Sequence, residues 1–164
     1  MSYKNRYTFG EKTTSQIAAL TGMVQGDTVW NTDSYIEEYY TGDVWTNDQC
    51  VLMTAGTTIV EGEQVAISLT DGDADLLTTG NNEEGIGVCV YGGTAGDVIS
   101  VQVMGVARCL AGASVVLGQY ATQDGTAGRF TDTTSAGTGT FGRVLENGVD
   151  GDLVRVLLSF IERA

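Results

Sequence analysis

Three aspartates at alternate positions, Asp71, Asp73 and Asp75 in the stretch DGDAD, come nearest to a chemical site by residue type and spacing. Alternating carboxylates begin calcium-binding loops, and paired carboxylates can act as the acid and base of glycoside hydrolysis. A calcium loop also needs a glycine and a bidentate glutamate, where this chain has Leu76 and Asn82. We therefore interpret the segment as a solvated turn, and keep a carboxylate-dependent glycosidase as an alternative.

Other residue types that carry chemistry are absent or unsuitably placed. The sequence has no histidine, which excludes Ser-His-Asp and Cys-His nucleophile systems and imidazole metal sites. The glycine-rich stretches GTAGRF and SAGTGTFG lack the Lys-Ser/Thr of a phosphate-binding loop. The cysteines lie in apolar stretches, so we expect them to fill the core: Cys50, Cys89 and Cys109. The sequence predicts no enzyme, no catalytic or metal-binding residue and no cofactor.

Length and charge restrict the partners of the chain. The 164 residues correspond to about one domain. The formal charge of −13 would repel nucleic acids and anionic membranes, so we expect neither as a partner. No apolar run is long enough to span a bilayer. An odd number of cysteines and the absence of a signal peptide predict assembly in a reducing cytoplasm.

A short pattern recurs five times: a glycine, an acidic residue, then apolar residues at alternate positions. Glycine tolerates the positive φ of a tight turn, and the acid can bond its own backbone, so each copy predicts the start of a strand. The two-residue period places Val65, Ile67 and Leu69 on one face. In the last copy it aligns Val154, Val156, Leu158 and Phe160. The five copies are GDTVW (26–30), GDVW (42–45), GEQVAISL (62–69), GDVISVQV (96–103) and GDLVRVLL (151–158).

The stretch GDVISVQVMGVARC (96–109) reads as one strand with Gly105 in its middle. Its first face, with Ile99, Val101 and Val103, is expected to point to the core. The opposite face also carries large apolar residues, which a purely solvated face would not. We predict that this second face is covered in an assembly, with these interface residues: Val98, Met104 and Val106.

Turn-rich segments separate these strands and predict an all-β fold, either a small β-barrel or a β-sandwich. One weak helix is expected within 13–23, capped by Thr14 or Ser15 and stopped by Gly22. We predict an N-terminal arm (1–25), an aromatic β-hairpin (26–50) and a β-barrel domain (51–164). In the hairpin, cross-strand aromatic contacts are expected among Val29, Tyr35, Tyr39, Trp30 and Trp45.

Basic residues gather at the start of an otherwise acidic chain. Lys4, Arg6 and Lys12 precede a stretch without Lys or Arg that lasts until Arg108. The pattern is compatible with a frayed basic terminus beside a solvated acidic surface. The alternative is an arm that docks on an acidic surface, such as a neighbouring subunit, with Tyr3, Lys4, Arg6, Tyr7 and Phe9 as contact residues.

The last two thirds of the chain contain a succession of short motifs. In order, these are GIGV, AGD followed by alternating valines and GVA, GQYATQDG, and a glycine followed by VLE and DGD. This succession resembles the capsid decoration (cement) proteins of tailed bacteriophages and their prophages. The resemblance implies a tulip-like β domain that binds the major capsid protein. It also implies a homotrimer on the outer surface of the virion capsid.

The stretch GDTVWNTDSYIEEYYTGDVW is similar instead to short β-motifs of phage head-fibre and tail-fibre proteins. This second resemblance implies an alternative function, a fibre module that binds a host receptor or glycan. Its binding face would then be formed by Trp30, Tyr39, Tyr40 and Trp45.

Overall fold

The computed structural model describes residues 8–23, 25–32, 36–68, 70–78, 85–137 and 139–159. Half of the described residues are in strands or bridges and 4% are in helix, which confirms the all-β prediction. The strands form three sheets, none of which closes into a barrel within these ranges, so the architecture is sandwich-like.

The elements follow one another in chain order, and their bounds are: β1 Thr8–Lys12, α1 Thr14–Ala18, β2 Thr28–Asn31, β3 Ile36–Tyr40, β4 Trp45–Thr46, β5 Cys50–Thr54, β6 Gln64–Ile67, β7 Ala74–Leu76, β8 Gly85–Tyr91, β9 Val98–Gln102, β10 Gly105–Leu110, β11 Tyr120–Gln123, β12 Phe130–Thr133, β13 Thr140–Val144 and β14 Leu153–Leu158.

The N-terminal sheet has the order β1-β2-β3-β4, with β1 parallel to β2 and the other pairs antiparallel. Residues of the predicted arm and of the predicted hairpin thus share one sheet. Helix α1 is capped by Thr13 and not by the predicted Thr14 or Ser15. The Thr13 side chain accepts the Gln16 N–H, and the Gln16 side chain accepts the Thr13 N–H. This reciprocal pair satisfies two otherwise free donors and fixes the helix start. The helix ends before Gly22.

Two further sheets repeat the same topology. Sheet order is β5-β9-β8-β6-β7 in the first β unit (50–102) and β10-β14-β13-β11-β12 in the second β unit (105–158). Each strand of the first unit therefore has its counterpart five strands later. Even the register shift between β6 and β8 recurs between β11 and β13.

Backbone contacts of the two units also correspond position by position. The Gly56 N–H donates to the Ala74 carbonyl at 2.9 Å, and the Gly112 N–H donates to the Phe130 carbonyl at 2.8 Å. Strand pairing extends the correspondence along the chain. Further equivalent residues are Ile59 with Val115, Gly62 with Gly118, Tyr91 with Glu146, Gly96 with Gly151 and Asp97 with Asp152.

The five predicted strand starts are confirmed by backbone geometry. Each glycine of the recurring pattern has a positive φ, between 86° and 112°, and a strand follows within three residues. A residue with a Cβ would be strained in this region. These glycines are Gly26, Gly42, Gly62, Gly96 and Gly151.

The single strand predicted for 96–109 is wrong. The chain forms β9 and β10 instead, which belong to different sheets. Gly105 marks the change with a φ of +80°, and a Cβ there would lie 2.3 Å from Oε1 of Gln49. Ile99 and Val101 are buried as predicted, whereas Val103 is half-buried in the connection.

The alternation of buried and exposed side chains was predicted correctly in β14 and incorrectly in β6. Val154, Val156 and Leu158 are buried on one face of β14, and Phe160 lies outside the described residues. In β6, Val65 is buried but Ile67 is exposed, because the register with β8 shifts after Val65. Leu69 also lies outside the described residues.

Candidate functional site: interaction surfaces

The two faces of the N-terminal sheet separate the aromatic residues that the sequence grouped together. Trp45 is buried against Phe9, with ring centroids 6.0 Å apart in a T-shaped contact, and against Tyr40 at 5.5 Å. Such pairs add stability to the core. Trp30 and Tyr39 point to solvent and keep 42% and 39% of their surface exposed. The four aromatic residues of the predicted receptor face therefore do not form one surface.

The exposed side of this sheet is a mixed aromatic and acidic surface, which we call the outer face. Trp30 lies opposite Glu37 in the β2–β3 register and beside Glu11 in the β1–β2 register. Both glutamates are exposed. The outer face consists of Glu11, Thr28, Trp30, Glu37 and Tyr39.

The predicted arm lies next to this surface in sequence. Tyr3, Lys4, Arg6 and Tyr7 fall outside the described residues, and their contact roles stay predictions. Strand β1 begins at Thr8 and is an edge strand of the N-terminal sheet.

A buried polar network joins the N-terminal sheet to the first β unit. Glu38 is fully buried, accepts a hydrogen bond from Nδ2 of Asn31 at 2.8 Å, and accepts a second from the hydroxyl of Tyr91. Asn31 Nδ2 also donates to Thr14 Oγ1 at 3.0 Å. Burial, together with the charge of Glu38, raises the pKa of Tyr91 well above its usual range. The Tyr91 hydroxyl thus stays protonated and remains a donor.

Sequence reasoning did not identify Glu38 as a structural residue. The alternation of β3 contains the signal, since Glu38 and Tyr40 share the side that faces the core while Glu37 and Tyr39 share the other. A carboxylate on a core-facing position requires hydrogen-bond donors, which Tyr91 and Asn31 supply from other parts of the chain.

The second face of the 96–109 stretch is partly covered within the chain. Ser100 is buried and its hydroxyl donates to Thr46 Oγ1 at 3.0 Å. Gln102 is also buried, and its Nε2 donates to the Met104 carbonyl at 2.8 Å. Among the predicted interface residues, Val98 and Met104 stay exposed (40% and 55%) and Val106 is half-buried. Val98 belongs to the first unit and Val106 to the second, so the set does not form one continuous strand face.

Cys89 and Cys109 are buried in the core as predicted, whereas Cys50 is half-buried. Burial raises the pKa of all three thiols, and for Cys89 burial and nearby Glu63 raise it to about 12. Protonated thiols are poor nucleophiles. The DGDAD segment (71–75) begins in a turn, where the Asp71 carboxylate accepts the Asp73 N–H at 3.2 Å, and its last two residues belong to β7. Hydrogen bonds from Ser68 and the Asp73 backbone lower the pKa of Asp71.

Two further features are absent from the described ranges. Within them, no three His, Cys, Asp or Glu side chains converge as possible metal ligands. In the same ranges, no helix has the length and apolar character needed to cross a membrane.

Comparison with solved structures finds a likeness in fold. The chain is similar to the N base of the head fibre protein gp8.5 of bacteriophage phi29, with a TM-score of 0.52 and 20% identity. The alignment covers 67% of this chain and 92% of the phage chain. No protein-family model matches the sequence, and no curated protein matches it.

Proposed function

We propose that this chain is a structural protein of a bacteriophage head, carried on the outer surface of the capsid. The observation that carries the proposal is the fold likeness to the base of a phage head fibre, which extends over 92% of that base. The sequence resemblance to capsid decoration proteins points to the same surface of the same kind of particle. The proposed partners are the major capsid protein and further copies of this chain, in a homotrimer.

Physical features support a binding role without catalysis. Exposed apolar side chains occur on both β units, where they can contribute to contacts between proteins. The net charge of −13 keeps free copies and decorated particles apart. Many copies on a lattice would stabilise a shell through avidity, even if each contact were modest.

We assign the capsid contact to the first seven residues. The arm combines Lys4 and Arg6 with Tyr3 and Tyr7, which suits an acidic protein surface. A test must leave β1 intact, because Phe9 packs on Trp45 and removal of 1–12 would break the sheet. The informative truncation therefore removes residues 1–7.

The experiment is co-sedimentation of the purified chain with capsids that lack it. We expect the intact chain to bind and the 1–7 truncation to bind at least tenfold more weakly. A K4E/R6E double variant should behave like the truncation, whereas replacing Lys12 alone should have little effect. Undiminished binding by both the truncation and the double variant would overturn the assignment of the arm. No binding by the intact chain would overturn the proposed function.

Decoration and fibre roles differ in what the particle loses when the protein is removed. A cement protein should raise the temperature at which the capsid opens, and its removal should lower that temperature. A fibre base should leave capsid stability unchanged and affect attachment to the host. The exposed pair Trp30 and Tyr39 favours keeping the second function under test. Retention of the chain on host cells or glycans, lost in W30S/Y39S, would support it.

A further inference from the structure

The two β units contact each other through two specific faces. On the first unit, the carbonyl of Gly62 accepts the Leu110 N–H at 2.8 Å, and the Gln64 N–H donates to the Gly128 carbonyl at 2.7 Å. A Cβ on Gly62 would lie 2.3 Å from Cδ2 of Leu153, so the approach needs glycine. We call the first-unit side, with Gly62 and Gln64, the Gly62 face. The second-unit side, with Leu110, Gly128 and Leu153, is the Leu110 face.

Because the units repeat, each face has an equivalent on the other unit. The Gly62 face of the first unit corresponds to Gly118 and Tyr120 of the second, which we call the Gly118 face. The Leu110 face of the second unit corresponds to a set on the first unit that we call the Thr54 face: Thr54, Gly72 and Val98.

Both equivalent faces are open in the single chain. A Cβ added to Gly118 or to Gly72 would meet nothing within 4 Å. Val98, the counterpart of the packed Leu153, is exposed. The N-terminal sheet reaches the first unit near Ser100 and Tyr91 but leaves the Thr54 face exposed.

At two positions the open faces carry apolar side chains where the contact inside the chain has charged residues. Glu61 precedes Gly62, and the Arg108 carbonyl lies 3.3 Å from a Cβ built on Gly62. Their counterparts are Leu117 and Leu52, which are 58% and 44% exposed. Two charged positions at the internal contact are thus both leucine at the open faces. Paired exposed leucines on complementary faces indicate a contact that buries them.

We propose that the Gly118 face of one copy binds the Thr54 face of a second copy, in the geometry that already joins the two units of each chain. The inference deepens the self-association within the proposed function by naming its surfaces. Because the two faces differ, the contact is head-to-tail, and it closes into a ring if the rotation permits. Three chains would place six equivalent units in that ring.

Charge supports the same pairing. Arg143 stands on the Gly118 face where the first unit has Val88, and its guanidinium lies 3.5 Å from the ring centroid of Tyr120. The Thr54 face carries Asp71 and Asp73 on either side of Gly72. Arg143 also donates to the Gly118 carbonyl at 2.7 Å. That oxygen has a second lone pair for the Thr54 N–H of the next copy.

The test is the molar mass of the full chain, measured by light scattering after size-exclusion chromatography over a range of concentrations. We expect a molar mass well above the 17.3 kDa of a single chain. Leu117→Glu and Leu52→Arg should each raise the dissociation constant at least about thirtyfold, as loss of a central apolar contact does. The double variant L52R/L117E should recover assembly in part, since it installs the residue types found at the internal contact.

Matched controls separate this inference from the proposed function. Trp30→Ser replaces a side chain on the outer face that is about as exposed as Leu52, and it should leave the molar mass unchanged. Circular dichroism checks that the two charged variants stay folded, which their exposure favours. A monomeric intact chain at all concentrations, or single variants that keep the full mass, would overturn the inference. Capsid binding is measured separately, so a chain that assembles but does not bind capsids leaves the inference standing and rejects the proposed function.

Discussion

The first and second β units share a backbone plan and differ in their surroundings. Gly87 and Gly142 show the shared part, since a Cβ on either would lie 2.4 Å from a carbonyl oxygen of the neighbouring strand. Tyr91 and its counterpart Glu146 show the difference. Tyr91 is buried and holds the N-terminal sheet through Glu38, whereas Glu146 pairs with Arg155 near the surface. Turns and close approaches thus define the unit, and a few side chains decide what each copy binds.

The cores of the two units differ most at one position, which gives the largest expected effect. Phe130 is fully buried and stacks edge-on against Phe141, while its counterpart in the first unit is Ala74. We expect Phe130→Ala to lower the free energy of unfolding by about 3–5 kcal/mol, because it leaves a large cavity. Denaturant titration followed by circular dichroism measures this loss. A loss below 1 kcal/mol would mean that the second unit tolerates the smaller core of the first.

The same variant tests whether the units unfold together. Val88 of the first unit packs into the hydrophobic cluster of the second. Unfolding followed by tryptophan fluorescence, which reports the N-terminal sheet, should therefore coincide with unfolding followed by circular dichroism. Two separate transitions would show that the N-terminal sheet unfolds independently of the second β unit.

The contact between the units can be broken at Gly62. Alanine there combines left-handed strain with the clash against Leu153, so we expect a loss of about 2–4 kcal/mol. Gly151→Ala is the matched control, because Gly151 has the same φ of +86° and open space around its Cβ position. The control should lose only the strain, about 1–2 kcal/mol. Equal losses in thermal or denaturant unfolding would contradict the packed contact.

Removal of the Tyr91 hydroxyl tests the link to the N-terminal sheet. Tyr91→Phe leaves the buried Glu38 carboxylate with one donor fewer, and we expect a loss of about 1–3 kcal/mol at neutral pH. Proteolysis should cut the N-terminal sheet faster in this variant than in the intact chain. Unchanged protection would show that packing of Trp45 alone holds the sheet.

The raised pKa of Tyr91 also sets a pH dependence. In the unfolded chain the phenol ionises near its ordinary pKa of 10.0, whereas in the fold burial and Glu38 keep the proton bound. The free energy of unfolding should therefore fall as pH rises above about 10. The buried thiols add to this loss above their ordinary pKa of 9.0. Tyr91→Phe should remove only the tyrosine part of the slope, and an unchanged slope would contradict the assignment.

The smallest effect is expected at the second unit's counterpart of Tyr91. Glu146 and Arg155 form an ion pair at 3.0 Å, and both side chains are more than one third exposed. Because water screens such pairs, Glu146→Gln should cost less than about 1 kcal/mol. The difference from the intact chain should vanish at high salt. A loss as large as that of Tyr91→Phe would mean that the two positions have equal structural weight.

Several parts of the fold follow from local patterns. The five glycine-acid pairs predicted strand starts because a positive φ is a property of the residue itself. The inward face of β14 followed from alternation. By contrast, the predicted strand 96–109 is divided between two sheets, since its alternation continues past Gly105 while its pairing partners change. The tandem repeat also escaped prediction, although AGTTIVEG and AGASVVLG contain its signal.

The candidate surfaces were predictable only in part. Trp30 and Trp45 look alike in sequence, each following a glycine-acid turn, yet one is exposed and the other buried. The side of a strand that faces the core depends on which neighbour covers it. For Trp45 that neighbour is Phe9, from a strand at the other edge of the sheet in the strand order.

The sequence by itself determined the all-β class, the turn positions, the acidic surface and the absence of histidine chemistry, because these depend on single residues and their nearest neighbours. Tertiary structure alone decided that Glu38 joins the N-terminal sheet to the first of the two β units. It also decided that the Gly62 face is covered by the second unit, whereas the equivalent Gly118 face is open. These properties depend on contacts between residues far apart in the chain, whose partners no local pattern specifies.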